Sequence, residues 1–398
     1  MGFHHGLSGL NASSKNLDVI GHNIANSNTV GFKHSRTEFN EMVASAMGAA
    51  SGNNTGIGVS VAAVSQQFTQ GVITPSANGL DMAVNGDGFF VVNTPSGTAY
   101  TRNGAFQLNK AGELVTVNGD NVQGYKVNPD TGARDSVSLS NLVFPAGSPI
   151  AAKQTNKISA AMNLDARAEV AGATHNRATY GTSLEVFDSL GVAHPVSIYA
   201  EKTAAGTWNI YDSLTSSAPI GSATFTPDGK LDAVSPSPLT TSVTPTSGAH
   251  APFDVEIDLS NLTQYGSSFS VARLTQDGYA SGELTAVNVA SDGTLMATYS
   301  NGVTRAEAQV ALAKFTNTQG LQPDGNNNWV ASNDSGPAIY GAAGSGSFGT
   351  IQGNAQEESN VDLTAQLVNM MTAQRAYQAN SQTIKTQDQI FSTLVNLR

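Results

Sequence analysis

The chain has no cysteine, which excludes disulfide staples, thiolate metal centres and cysteine nucleophiles together. Charge is scarce as well: 12% of residues are charged, with 19 basic against 30 acidic side chains and a net charge of -11. No Lys/Arg cluster offsets that acidity, so a phosphate backbone would be repelled and nucleic acid is not a partner. No apolar run approaches the ~18 residues of a membrane span, so no membrane insertion is read. Met1 to Gly9 lacks the charged start and apolar centre of a cleavable export signal. Composition alone reads as cytosolic. The missing cysteines fit better a chain that leaves the cell unfolded and must avoid mispairing outside.

Catalytic and ligand-binding signatures are absent too. "GSGSFG", with Gly344, Gly346 and Gly349, satisfies a dinucleotide fingerprint formally, but no helix pattern follows it and no βαβ unit surrounds it. It reads as a flexible loop before the last helix. His4, His5, His22, His34, His175, His194 and His250 show no helical ligand spacing, and adjacent His4 and His5 point to different helix faces. Asp81, Asp87 and Asp188 stand in turn contexts, where Asp bonds its own backbone. Glu357 and Glu358 precede a helix whose positive end they complement. Arg102 and Arg375 are candidates for ion pairs between subunits, although Arg375 equally suits a solvated face. No catalytic residue, metal ligand or cofactor site emerges, and the chain is not read as an enzyme.

What is present is concentrated at the ends. Ser359-Asn360-Val361-Asp362 is a helix start signal, with Ser359 as cap and Asp362 reaching back. From there to Arg398 no Gly or Pro occurs, and Leu363, Leu367, Met370, Ala373, Tyr377, Ile384, Phe391 and Leu394 recur at helical steps. Asn380 and Gln387 sit in that stripe, as polar residues that fix register in a coiled-coil seam do. A helix of this length spans roughly 55 to 60 Å and must protrude. Gly6 to Asn26 carries Leu7, Leu10, Leu17, Ile20 and Ile24 at helical spacing, with Ala12, Ser13, Ser14 and Gly21 small enough for close approach. Such helices either lie on the core of their own chain or pack between molecules. The narrow stripe, the nearly uncharged polar face and the terminal placement favour the second.

Between the ends the period changes to two. Leu80, Met82 and Val84 alternate, Phe89 to Val92 is a continuous apolar run, and Asn85-Gly86, Asn103-Gly104, Asn118-Gly119, Asp292-Gly293 and Asn301-Gly302 are hairpin-turn pairs. A helical pattern is read from Arg36 to Met47, followed by a breaker-rich stretch from Gly48 to Gly58. Phe144 to Gln154 and Gln276 to Glu283 are Gly/Pro-containing passages that bracket a further set of strands, with a turn at Asp188 to Gly191 and an extended loop from Ser235 to Pro252. The fold class is α+β: long terminal helices forming an inner coiled coil, plus two mainly-β domains nested by insertion. The boundaries read as 1–27 and 357–398 for the helical part, 28–70 for a connector, 71–145 with 283–356 for the first β domain, and 146–282 for the inserted one. The two bracketing passages can act as a hinge.

The N-terminal run "GLSGLNASSKNLDVIGHNIANSNTVGFK" and the C-terminal run "ESNVDLTAQLVNMMTAQRAYQANSQTIKTQDQIF" resemble the paired end signatures of the bacterial flagellar rod and hook family. "LDMAVNGDGFFVV" and "YTRNGAFQLNKAGELVT" continue the likeness inward. The long middle resembles the hook branch rather than the shorter rod branch. Asn26, Asn28, Thr29, Gly31, Phe32 and Lys33 stand in the family's turn signature. The resemblance implies a structural subunit of a curved, flexible tube that acts as a universal joint and transmits torque from rod to filament. It would be exported by the flagellar type III apparatus without signal cleavage and located in the extracellular flagellum. The implied partners are further copies of itself, the rod, the hook cap, the hook–filament junction proteins and the export apparatus. The seam between subunits would be Leu7, Leu10, Leu17, Ile20 and Ile24 with Leu363, Leu367, Met370, Tyr377, Ile384, Phe391 and Leu394. In that family a Phe-x-x-x-apolar element helps gate export, and "FNEMV" offers Phe39 and Val43, which also fit an ordinary helix contact. Alternatives are a distal rod subunit, whose ends would look alike, and a secreted β-rich adhesin or wall-acting enzyme that docks by helical ends.

Overall fold

A computed structural model describes residues 2–43, 56–129, 131–144, 149–172, 177–245, 248–249 and 252–396. It is a mainly-β body with one helix at each end: α1 (Gly2–Ala25) and α2 (Leu363–Asn396). The chain divides into two compact units, one made of Met1–Ala146, Ala286–Ala297 and Thr304–Arg398, the other of Gly147–Thr285 and Thr298–Val303.

The first unit is built around strands buried on both faces. In β5 (Phe89–Thr94), Phe90 and Val92 enter one core with Met82, Phe106, Leu114, Val310 and Leu312, while Phe89 and Val91 enter another with Tyr100, Phe315 and Trp329. A strand covered on both sides needs no alternation, which is why Phe89 to Val92 reads as a continuous apolar run. β5 pairs with β6 (Gly97–Thr101) through a turn at Thr94–Gly97, and with the long strand Thr304–Lys314.

The turn pairs divide into two groups. Asn118-Gly119 closes a hairpin between Leu114–Thr116 and Asn121–Lys126, and turn bonds Ala290 N–Thr294 O and Tyr299 N–Val303 O flank Asp292-Gly293 and Asn301-Gly302. Asn85-Gly86 closes no hairpin. β4 (Met82–Asn85) pairs instead with Thr350–Gly353, and the shorter strand before it, β3 (Ile73–Pro75), pairs with Ala355–Glu357. At Asn103-Gly104 glycine serves close approach, since a Cβ on Gly104 would lie 1.6 Å from Met82 O. "GSGSFG" is a turn between strands, closed by a hydrogen bond from Gly344 N to Gly349 O.

The helix read from Arg36 to Met47 does not form over the described part. Ser35–Val43 is a strand, β1, paired antiparallel with β2 (Gly56–Gln66); residues 44–55 lie outside the described ones. The run "SRTEFNEMV" suits either period, and the long antiparallel partner decides it.

The second unit has two five-stranded sheets sharing one core of Ile158, Leu164, Ile198, Trp208, Val255 and neighbours. Lys157–Asp165 alternates fully and partly buried residues after an exposed Lys157 and pairs parallel with Phe253–Asp258. The proline-dense stretch is not wholly loop, because Leu239–Val243 is a strand on Phe253–Asp258. Asp188 makes the turn assigned to it: Oδ1 accepts from Leu190 N at 2.9 Å and Val192 N at 3.0 Å, and Oδ2 lies 3.0 Å from His194 Nε2. A hairpin creates that His–Asp pair, so helical spacing could not reveal it.

Candidate functional site

Both helices belong to the first unit and run antiparallel against each other, with Gly6 beside Ile384, Gly9 beside Asn380 and Asn23 beside Gln366. The approach is close because Gly6 and Gly9 have no side chain: a Cβ at either would lie 2.8 Å from Ile384 Cγ1 or from the Asn380 amide. Asn380 Nδ2 also reaches Ser13 Oγ at 3.5 Å, so the register residue read from the stripe does lie between the helices. Gly21, assigned the same spacer role, faces nothing within 4 Å among the described residues.

The helix start is displaced from its signal. Asp362 is the cap, with Oδ1 accepting from Ala365 N at 3.0 Å, while Ser359 Oγ accepts only from Val361 N at 3.4 Å. α2 therefore begins at Leu363 and runs 34 residues, about 51 Å, against about 36 Å for the 24 residues of α1. Its end, including Ile390 and Phe391, extends past the pairing with α1.

The structure sorts the apolar stripe into two sets. Met370, Ala373 and Ile384, with Gln366, Asn380 and Gln387, form the covered face of α2, and Leu10, Ala12, Leu17, Val19, Ile20 and Ile24 are covered on α1. Leu363, Leu367, Tyr377 and Phe391 are exposed, as are Leu7 and Phe3 on α1. Val368, Met371 and Ile390, which the stripe omits, are also exposed, at 51%, 53% and 48%. Leu363, Leu367 and Met371 form an i, i+4, i+8 row, a signal present in the sequence but hidden by reading one stripe instead of two. The side chains of Val43 and Leu394 lie outside the described ones, as do His175 and His250. Phe39 is exposed on β1.

A joint of buried charge ties the helices to the β body. Glu357 is completely buried. Its Oε1 accepts from Lys33 Nζ at 2.5 Å and Gly71 N at 2.9 Å, and its Oε2 from Arg102 Nη1 at 3.2 Å. Arg102 also donates to Val84 O and Gly86 O, and its guanidinium lies over the Phe89 ring at 5.3 Å. Burial pushes both the Lys33 ammonium and the Arg102 guanidinium below their ordinary values, against the opposing pull of Glu357. The candidate assignment of Arg102 to a pair between subunits is thereby corrected, as is that of Glu357 to the helix dipole: low-dielectric burial makes them each other's partner.

Amide clamps surround the joint. Asn23 accepts from Ser35 N and donates to Ser35 O, pinning β1 to α1, and Asn360 accepts from His34 N while donating to Gln67 O. Gly31, at φ 72, donates to Glu357 O, and a Cβ there would strike Asn103 N at 2.5 Å, so the turn signature Asn26, Asn28, Thr29, Gly31, Phe32 leads straight into the joint. The partners of Lys33, Arg102 and Glu357 are hundreds of residues apart and carry no local signal.

Four family profiles match this architecture in chain order. They are Flagella basal body rod protein over 3–33, Flagellar hook protein FlgE/F/G D1 domain over 83–158, Flagellar basal body protein FlaE D2 domain over 163–279, and Flagellar basal body rod FlgEFG protein C-terminal over 352–397. The chain is 40% identical to Flagellar hook protein FlgE of Escherichia coli K12, and 38% identical to that of Salmonella typhimurium, over 100% of each chain. The Flagellar hook protein FlgE of Rhizobium meliloti is 34% identical over 99% of this chain and 98% of its own. In fold, the crystal structure of Helicobacter pylori flagellar hook protein FlgE2 matches with a TM-score of 0.52 at 14% identity, covering 70% of this chain and 99% of that one. Matched from end to end by such relatives, the chain belongs to the flagellar hook protein family.

Proposed function

We propose that this chain is a structural subunit of the bacterial flagellar hook, polymerising with copies of itself into a curved tube. The observation that carries the reading is the half-exposed apolar face of a long terminal helix in a chain whose full-length relatives are hook proteins. Burying a large apolar side chain gains ~1.5 to 3 kcal/mol, so Leu363, Leu367, Val368, Met371, Tyr377 and Phe391 favour association as a group. The α1–α2 pair then acts as the unit of an inner coiled-coil layer, with Leu7 completing the seam. The two β units are nested, the second inserted into the first. Their polar surfaces exchange contacts with water at little net cost, and that permits bending.

The family is structural, and no catalytic role is assigned. Export through the flagellar type III apparatus, with Phe39 and Val43 as a gate element, and binding to rod, cap and junction proteins complete the proposal. The test is electron microscopy of the concentrated full chain, in which curved tubes are expected. The chain without residues 379–398 should keep its β units folded and form none; straight rods, or tubes from the truncated chain, overturn the reading.

A further inference from the structure

The exposed row on α2 has a counterpart on the same helix pair. Where β1 crosses α1 and α2, a groove opens, floored by Val19, Ile20 and Ala373 and walled by Phe39, Thr372 and Ala376. Phe39 stays 45% exposed at its edge, although the groove floor beside it is buried. Thr37 Oγ1, on the same wall, is buried with no hydrogen-bond partner among the described residues.

Groove and row occupy different sides of α2. At 100° per residue, Leu363, Leu367 and Met371 centre about 150° round the helix from Gln366, Asn369, Thr372, Ala373 and Ala376. The row therefore cannot fold into its own groove, whereas a second copy can present it. Their lengths agree, the row spanning about 12 Å and the α2 wall of the groove about 15 Å. The chemistry agrees as well: neither the row nor the floor carries a charge, and Thr364 and Gln374 beside the row bring an uncharged hydroxyl and an uncharged amide, both suited to an unfilled hydroxyl position.

We infer that the Leu363–Leu367–Met371 row of one copy seats in the Val19/Ile20/Phe39/Ala373 groove of the next. The inference rests on the polymer reading above and names its contact. Two different, complementary patches on one molecule make a heterologous interface, which repeats without closing and so builds an open helical assembly rather than a dimer. The placement also assigns Phe39 a role in the assembled state: it is the lip of the groove.

The absence of native cysteine makes a cross-linking test clean. Leu367 and Ala376 are nine residues apart on one helix, about 13.5 Å, too far for a disulfide within one chain. The full chain carrying Leu367→Cys and Ala376→Cys together, polymerised and mildly oxidised, is expected to give a ladder of covalent multimers on a denaturing gel. Each single variant should remain monomeric. Tubes that form without a ladder, or a dimer from Leu367→Cys alone, overturn the pairing while leaving polymerisation standing. Failure of the unsubstituted chain to polymerise defeats the polymer reading itself. If the double variant does not assemble, tubes of unsubstituted chain doped with both single variants carry the same readout: a covalent heterodimer supports the contact, and its absence from formed tubes overturns it.

Discussion

Five residues separate the buried carboxylate of Glu357 from the half-exposed side chain of Leu363, and across that interval the usual distribution of polarity is inverted. Upstream, one carboxylate and two cations are sealed from water; downstream, Leu363, Leu367 and Met371 stand in it. Buried charge is tolerable where each group finds a partner within the chain. Exposed leucine in rows has no such completion. The contrast separates a region whose interactions close within one molecule from a region whose interactions do not.

Removing the carboxylate should produce the largest effect. Glu357→Gln leaves two buried cations facing a neutral amide, and the first unit is expected to lose about 3 to 5 kcal/mol, read as a shifted denaturant midpoint with the second unit's transition unchanged. Lys33→Met takes away the surplus cation, so its cost should stay below about 2 kcal/mol. If both variants fall equally, the joint is not a charge-balanced device.

The opposite region should answer in the opposite way. Leu363→Ser, Leu367→Ser and Met371→Ser together are expected to change monomer stability by no more than about 1 kcal/mol and to abolish tubes in electron micrographs. A large loss in monomer thermal stability would show that the row is packed within the chain.

A smaller effect separates two of the glycines of α1, Gly9 and Gly21. Gly9→Ala inserts a Cβ 2.8 Å from the Asn380 amide and should cost about 1 to 3 kcal/mol by overpacking. Gly21→Ala meets nothing and should gain up to about 1 kcal/mol of helix propensity, both read by thermal unfolding.

The smallest effect lies in the second unit. The backbone N–H and hydroxyl of Ser260, and then Lys157 at 3.1 Å, hold the Asp258 carboxyl down at about 2 against an ordinary 3.8. A depressed carboxyl contributes stability that is present above the unfolded value and lost as pH falls through the folded one. The unit's stability should therefore decline between pH 4 and 2, with a shallower slope in Asp258→Asn. An unchanged slope would remove Asp258 from that account.

Local patterns carried much of the architecture. Helical spacing placed α1 and α2, the run Phe89 to Val92 marked a strand covered on both faces, and Asp188 announced its turn. Local patterns failed where a distant partner chose between options. "SRTEFNEMV" became β1 because Gly56–Gln66 lies alongside it. Asn85-Gly86 lost its hairpin because Thr350–Gly353 took β4. One stripe on α2 became two because α1 covers only part of it.

By itself, then, the sequence determined that the ends are amphipathic helices, that the middle is β, and that thiol chemistry has no place here, because these follow from composition and from periods of two and 3.6 residues. Only the tertiary structure decided that Lys33, Arg102 and Glu357 meet, and which leucines remain in water. Burial and ion pairing depend on residues brought together from opposite ends of the chain, and no local period encodes that meeting.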